Sequence, residues 1–129
     1  MSSFHTNIED DTKKNSNFRK VLYTGKHLQL VVMSLKPGEE IGMEVHDSVD
    51  QFFRVEEGLA KFFIDGEEIE AGQENVVIVP AGSAHNVVNA LPDADLKLYT
   101  VYAPPNHPDG TVHATKEEAE TAEKTEHHN

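Results

Sequence analysis

A succession of short segments rich in Val, Ile, Leu, Phe and Tyr constrains the fold of this chain more than any other feature of its sequence. The segments run from VLYTG at residue 21 to LKLYTVYA at residue 96, and turn pairs such as Pro37-Gly38 and Asp65-Gly66 separate them. β-branched and aromatic residues favour strands, whereas such pairs favour turns. The pattern therefore predicts an all-β fold, an antiparallel sandwich or barrel, with a hairpin in IDGEEI.

The two ends of the chain differ from this middle part. Residues 1–17 are polar without a period, which predicts a flexible N-terminal arm before a β-domain over residues 18–104. In residues 105–129, the prolines and glycine of PNHPDGTVHATK predict an irregular loop. TKEEAETAEK predicts a short helix, with Thr115 as its N-cap and Glu118 completing a capping box. The closing EHHN is expected to be a disordered tail and not a metal site.

Charge and composition exclude several classes of function. The formal net charge of -12 argues against nucleic acids and anionic membranes as partners, because both need clustered Lys and Arg. The absence of cysteine excludes disulfides, a thiolate metal site and a cysteine nucleophile, and it fits a reducing compartment. We see neither an apolar leader nor a segment long enough to cross a bilayer, so we expect a cytoplasmic protein of one domain.

Two stretches carry residues that suit metal chemistry. In EVHDSVDQ, the alternation of a strand places Glu44 and His46 on one face, and Gln51 can join them after the turn. In PAGSAHNVVN, His85 and Asn89 share the inward face of the next strand. Buried polar groups cost a few kcal/mol each unless they are satisfied. One divalent ion would satisfy two imidazoles and a carboxylate together, and that donor set suits Fe, Mn, Ni or Zn.

Other interpretations of these residues stay open from the sequence alone. A register shift of one residue would turn Met43 and Val45 inward and expel both Glu44 and His46. Gln51 is either a fourth ligand or only a hydrogen-bond partner of one. We expect Asn89 to be structural, bonding backbone near a turn. Parity sends Arg54 outward, away from a substrate.

The two stretches resemble the two motifs of the cupin superfamily. GQENVVIVPAGSAHNVVN matches the second motif throughout, including Pro80, Gly82 and His85. PGEEIGMEVHDSVDQFFRVEEG matches the first motif in its glycines and in His46. It departs from that motif twice, since Glu44 replaces the usual first histidine and Gln51 the usual glutamate. The exchange keeps one carboxylate in the set.

The resemblance implies a single jelly-roll β-barrel with a divalent metal ion (Mn, Zn, Fe or Ni) in its mouth. Carried over residue by residue, the implied metal ligands are Glu44, His46, Gln51 and His85. The small chain with its PPNHPDGTVH segment resembles the monodomain cupins described as mannose-6-phosphate isomerase-like, a description that rests on similarity.

Three functions are compatible with such a site. The first is metal-dependent isomerase or lyase chemistry on a small oxygenated metabolite, such as a sugar or sugar acid. The second is an Fe- or Ni-dependent dioxygenase. The third is a non-catalytic module that binds or senses a small molecule. Weak candidates for an acid or base are His107, His113 and Tyr102, although the two histidines are expected to be solvated loop residues.

The segment HLQLVVMSL suggests how the chain assembles. It carries large apolar side chains at both parities, which is more than a half-exposed strand needs. One face is expected to pack into the core and the other against a second subunit, so we predict a homodimer.

Overall fold

The computed structural model describes residues 2–127, and in them the chain forms two helices and two antiparallel sheets. The helices are α1 (Ile8–Lys14) and α2 (Lys116–His127). The strands are β1 (Arg19–Thr24), β2 (Gln29–Leu35), β3 (Glu44–Val45), β4 (Asp50–Glu57), β5 (Leu59–Ile64), β6 (Glu67–Gly72), β7 (Val76–Val79), β8 (Ala84–Asn89), β9 (Leu96–Ala103) and β10 (Val112–His113). The predicted all-β jelly-roll architecture is confirmed, as two facing sheets rather than one closed barrel.

The larger sheet has the strand order β10-β1-β2-β9-β4-β7, and the smaller sheet has the order β3-β8-β5-β6. Strands distant in the chain are neighbours in both sheets, as β2 with β9 and β5 with β8. The predicted hairpin is present between β5 and β6, where Ile64 pairs with Glu67 around the tip.

The core lies between the sheets and is built from the alternate residues of each strand that face inward. Met33 of β2, Phe53 of β4 and Phe62 of β5 are almost completely buried. The rings of Phe53 and Phe62 pack edge to face with their centroids 5.0 Å apart, which joins the two sheets. The strand periodicity read from the sequence is therefore the periodicity of burial.

The N-terminal segment contains a helix, where the sequence analysis expects a flexible arm. Helix α1 begins at an Asn7 cap whose side chain accepts a hydrogen bond from the Asp10 amide (3.0 Å). Lys14 pairs with Asp10 at 2.9 Å, one turn apart, and Thr12 is fully buried. The helix has no apolar stripe, so its signals are capping and charge spacing rather than hydrophobic period.

The residues that follow α1 cover the outer face of β2. The buried Lys97 ammonium donates to the Asn15 carbonyl (2.6 Å) and to the Ser34 hydroxyl (2.9 Å), while Val32 on the same face is 1% exposed. The apolar residues at both parities of β2 are thus accounted for within one chain. The homodimer predicted from that strand loses this argument and stays a prediction.

The C-terminal part follows the sequence analysis in its helix and departs from it in its loop. Thr115 accepts a hydrogen bond from the Glu118 amide (3.2 Å), so the predicted N-cap is confirmed. Glu118 accepts from the amide of Ala114 (2.9 Å), the residue before the cap, rather than from that of Thr115 as in the predicted capping box. The loop contains strand β10, which pairs with β1.

Helix α2 continues to His127, past the start of the expected tail, while residues 128 and 129 lie outside the described residues. None of the helices in residues 2–127 has the length and apolar character to span a membrane.

Candidate metal centre

The smaller sheet positions the two motif stretches side by side. Strand β3 pairs with β8 in a register that puts Glu44 directly opposite His85. Directly after β3, the His46 carbonyl accepts a hydrogen bond from the Gly82 amide (2.9 Å), which ties this stretch to the PAG turn. Met43 and Val45 are 64% and 52% exposed, so the register that turns Glu44 and His46 inward is the one adopted.

The inward side chains converge on one point. Ligand atoms of Glu44, His46 and His85 all lie within 4.8 Å of one another, so this cluster could hold a metal ion. Nε2 of His46 is 3.0 Å from Oε2 of Glu44, and the two imidazole centroids are 5.4 Å apart. Nδ1 of His85 is 3.1 Å from the Ser83 carbonyl, an arrangement that places the proton on Nδ1 and leaves Nε2 as the donor for an ion.

Gln51 lies on β4 in the larger sheet, where it pairs with Tyr102 of β9. Its side chain is 2% exposed, and its Nε2 donates to the Thr100 hydroxyl (3.0 Å). Its buried Oε1 has no hydrogen-bond partner among the described residues. A buried amide oxygen left without a partner is costly unless a cation or other donor satisfies it. The donor set of two imidazoles, a carboxylate and this oxygen fits a divalent ion.

The charges around Glu44 favour its ionised form. Burial raises the pKa of the carboxyl, but the hydrogen bond with His46 and the electrostatic effects of His46, Arg19 and His85 together outweigh burial. The pKa of Glu44 therefore lies below its ordinary value. A carboxylate that is already ionised is ready to act as a metal ligand at neutral pH.

A cavity of about 350 Å³ opens beside the cluster. Glu44 and His46 line it together with His107, from the loop after β9, and Glu123, from α2. His107 is not a solvated loop residue as expected, because its Nε2 lies 3.2 Å from the hydroxyl of the buried Tyr102. The loop thus folds over the cavity, and His107 lines it.

Burial and nearby charge hold His107 and Tyr102 in their neutral forms. Burial, reinforced by the positive charge of Arg19, lowers the pKa of His107 to about 3. Burial also raises the pKa of the Tyr102 hydroxyl above its ordinary value. At neutral pH the pair is an uncharged imidazole beside a protonated phenol.

The other sequence-selected residues lie outside the metal cluster. His113 on β10 has its Nδ1 3.5 Å from Nη1 of Arg19. Arg54 pairs with Glu56 and is partly exposed, in accord with its predicted outward direction.

Asn89 is structural, as predicted. Its buried Nδ2 donates to the carbonyls of Leu35 (3.0 Å), Lys36 (3.1 Å) and Ala94 (2.8 Å). These three bonds fix the end of β2 and the loop before β9 around the end of β8.

Arg19 is the residue near the site that the sequence analysis did not select. It is 1% exposed and shares the inward parity of β1 with Val21. Its charge contributes to the pKa shifts of Glu44, Tyr102 and His107. Its position two residues before the core residue Val21 was the one sign in the sequence that Arg19 points inward. Arginine is usually exposed, so a single arginine at the start of a strand is not expected to be buried.

Relatives share most of this chain. YrkC, an uncharacterized protein of Bacillus subtilis (strain 168), is 49% identical over 127 residues, which cover 93% of this chain and 67% of that protein. L612, an uncharacterized protein of Acanthamoeba polyphaga mimivirus, is 38% identical over 110 residues, which cover 82% of this chain and 68% of that protein.

The architecture also has a close counterpart among solved structures. The crystal structure of BH2720 from Bacillus halodurans superposes with a TM-score of 0.91 at 45% identity, over 93% of this chain and 95% of that one. Residues 31–102, which include Glu44, His46, Gln51 and His85, match the cupin domain family. This match covers more than half of the sequence and coincides with the strands that carry the candidate metal cluster, so the chain belongs to the cupin family.

Proposed function

We propose that this cupin binds a divalent metal ion through Glu44, His46, Gln51 and His85. We further propose that it is a metal-dependent enzyme of isomerase or lyase type that acts on a small oxygenated metabolite. The observation that carries the proposal is the convergence of ligand atoms from Glu44, His46 and His85 within 4.8 Å, beside a cavity of about 350 Å³.

Two further features support the metal assignment. The unpartnered Oε1 of Gln51 is an oxygen donor that the protein itself leaves unsatisfied. His85 hydrogen-bonds the Ser83 carbonyl through Nδ1. Metal-binding imidazoles are commonly oriented by such a bond from the ring nitrogen that does not bind the ion.

In the proposed chemistry, the metal ion and the side chains of His107 and Tyr102 have separate roles. When bound, a divalent ion supplies a Lewis acid that polarises a carbonyl or hydroxyl oxygen. His107 presents a neutral imidazole at the cavity wall, and the Tyr102 phenol is 3.2 Å away as a hydrogen-bond donor. We assign this pair the role of orienting a substrate oxygen by hydrogen bonding at the His107 ring, because both groups are uncharged at neutral pH.

Metal content tests the proposal directly. We expect protein purified without added metal, or titrated with Zn²⁺, Mn²⁺, Fe²⁺ or Ni²⁺ after chelation, to bind about one ion per chain and to melt at a higher temperature when loaded. His85→Gln and Glu44→Gln should each weaken binding at least ~10-fold, because each removes a direct ligand. Glu57→Gln, an exposed residue of β4, is the matched control. Unchanged binding in both ligand variants, or no binding by the unaltered chain, contradicts the proposal.

The identity of the ion and of the substrate tests the reaction class. Zn or Mn with turnover of a sugar or sugar acid supports the isomerase or lyase assignment, whereas Fe with oxygen uptake on diketones or flavonols replaces it with a dioxygenase. An intact metal site with no turnover in either assay favours a binding module.

The resemblance to mannose-6-phosphate isomerase-like cupins makes that sugar phosphate one substrate to assay. We expect weak or no turnover, because the described residues that line the cavity include no cluster of Lys and Arg such as a phosphate group requires.

A further inference from the structure

Arg19 is a buried cation whose polar contacts with Glu123 and His113 are long. Its side chain is 1% exposed, and its Nε has no hydrogen-bond partner. Nη1 lies 3.4 Å from Oε1 of Glu123 and 3.5 Å from Nδ1 of His113, both longer than a strong charge-assisted bond. The guanidinium also lies 5.4 Å from the centroid of the Phe18 ring.

Such an arrangement is expensive for the fold alone. A buried guanidinium loses its hydration, and only short, well-aligned bonds to a carboxylate offset that loss. Glu123 offers one oxygen at long range, and its own side chain is 36% exposed at the cavity wall. The bidentate geometry that arginine forms with a carboxylate is therefore left incomplete.

The position of Arg19 connects it to the candidate site. Glu123, which contacts Arg19, lines the same cavity as Glu44, His46 and His107. Among the described residues, the two buried side-chain atoms without a partner are Arg19 Nε and Gln51 Oε1. One is a donor that suits an anion, and the other is an acceptor that suits a cation.

We propose that Arg19 binds the carboxylate of a small organic acid that enters this cavity, in the place that the Glu123 carboxylate holds in the structure. The inference rests on the proposed function for the location of the substrate, and it adds that the substrate is a carboxylic acid. A chain with a formal net charge of -12 repels small anions in general, so a local buried cation is what makes a carboxylate ligand possible. The group that already faces Arg19 is a carboxylate, which favours that ligand class over phosphate.

Competition with Glu123 gives the proposal a signature that a purely structural ion pair lacks. If the Glu123 carboxylate occupies the ligand's place, replacing it with the neutral amide of glutamine should leave Arg19 more available to a ligand. Glu123→Gln is then expected to strengthen carboxylate binding, whereas removal of Arg19 weakens it. A structural pair would lose stability in both variants and gain affinity in neither.

The test is calorimetric titration of the chelated full chain with malonate at neutral pH, with inorganic phosphate in a parallel titration. We expect malonate to bind, Arg19→Gln to weaken the affinity at least ~10-fold, and Glu123→Gln to tighten it ~3-fold or more, because a competing charge is removed. Arg54→Gln, a partly exposed arginine that pairs with Glu56, is the matched control and should bind malonate as the unaltered chain does.

Four outcomes overturn the inference: no malonate binding, equal affinity in Arg19→Gln, weaker binding in Glu123→Gln, or a preference for phosphate. If Arg19→Gln does not fold, Arg19→Lys keeps the charge without the planar fork and should still weaken malonate binding. Because the titration uses chelated protein, a failure here is separate from a failure of metal binding, which the Zn²⁺ titration of the same variants reports.

Discussion

At the scale of single residues, buried polar atoms divide into those the fold satisfies and those it leaves free. Both polar atoms of the Asn89 side chain are hydrogen-bonded: Nδ2 donates to three carbonyls, and Oδ1 accepts from the Leu91 amide (2.9 Å). Gln51 is only half used, since its Oε1 has no partner. Because unsatisfied buried atoms cost stability, the Oε1 of Gln51 supports the proposal that this residue is a metal ligand.

His107 gives a prediction at this scale. In the unfolded chain its imidazole takes up a proton near the ordinary pKa of 6.5, whereas burial and Arg19 lower the pKa to about 3 in the fold. Between these values the unfolded state binds more protons, so acidification through this window removes stability. The free energy of unfolding should therefore fall less between pH 6.5 and pH 4 in His107→Gln than in the unaltered chain. We expect a difference of about 1–2 kcal/mol, a figure that allows for the partial exposure of the ring.

The measurement is urea denaturation of chelated protein at a series of pH values. His27→Gln, at an exposed position, controls for the loss of one histidine from the total charge. Parallel pH curves for His107→Gln and the unaltered chain would show that the ring is not held neutral in the fold.

At the scale of elements, the turns are where the sequence signal and the structure agree most closely. Asp65 and Gly66 have φ values of 47° and 86°, the pair of positive values that a two-residue hairpin loop requires. Gly58, between β4 and β5, also has a positive φ of 93°. The two glycines differ in their surroundings, since a Cβ at Gly58 would lie 2.8 Å from the Asp95 carbonyl oxygen and one at Gly66 would meet nothing within 4 Å.

This difference predicts unequal effects of the same substitution. Gly58→Ala combines backbone strain with a collision against main chain, so we expect it to lower the free energy of unfolding by about 2–4 kcal/mol. Gly66→Ala carries the strain alone and should cost about 1–2 kcal/mol. Equal losses for the two variants in chemical denaturation would show that the approach of Asp95 to Gly58 does not constrain the turn.

At the scale of the whole molecule, the exposed apolar residues favour β7 as the dimer contact, whereas the sequence favoured β2. Strand β7 is the last strand of the larger sheet, and its Val76 and Ile78 are 46% and 63% exposed. An edge strand with exposed apolar side chains favours pairing with a second copy. We propose that the homodimer expected from the sequence forms through β7 rather than through the covered outer face of β2.

Size-exclusion chromatography with light scattering at micromolar concentration tests this assembly. We expect a dimer for the unaltered chain and a shift toward monomer for Ile78→Lys, because a charge on the edge opposes pairing. Lys26→Glu, an exposed residue between β1 and β2, serves as the control for an altered surface charge. A monomer for the unaltered chain rules out the proposal.

The sequence by itself determined what depends on local pattern. Alternating apolar residues and glycine turns predicted the strands, the hairpin and an antiparallel sandwich or barrel, and the resemblance of two motifs to cupins predicted the jelly roll. The spacing of Glu44 and His46 predicted a shared inward face, because a strand has a fixed period of two. The cap of α2 was likewise readable from Thr115 and Glu118, since capping is a contact between near neighbours.

Only the tertiary structure decided what depends on contacts between distant segments. The pairing of β3 with β8 brings Glu44 opposite His85, and the return of the loop after β9 places His107 against Tyr102. The docking of α2 sets Glu123 beside Arg19 across most of the chain length. No local period encodes these contacts, because burial of a charged residue depends on which surfaces the completed fold puts over it.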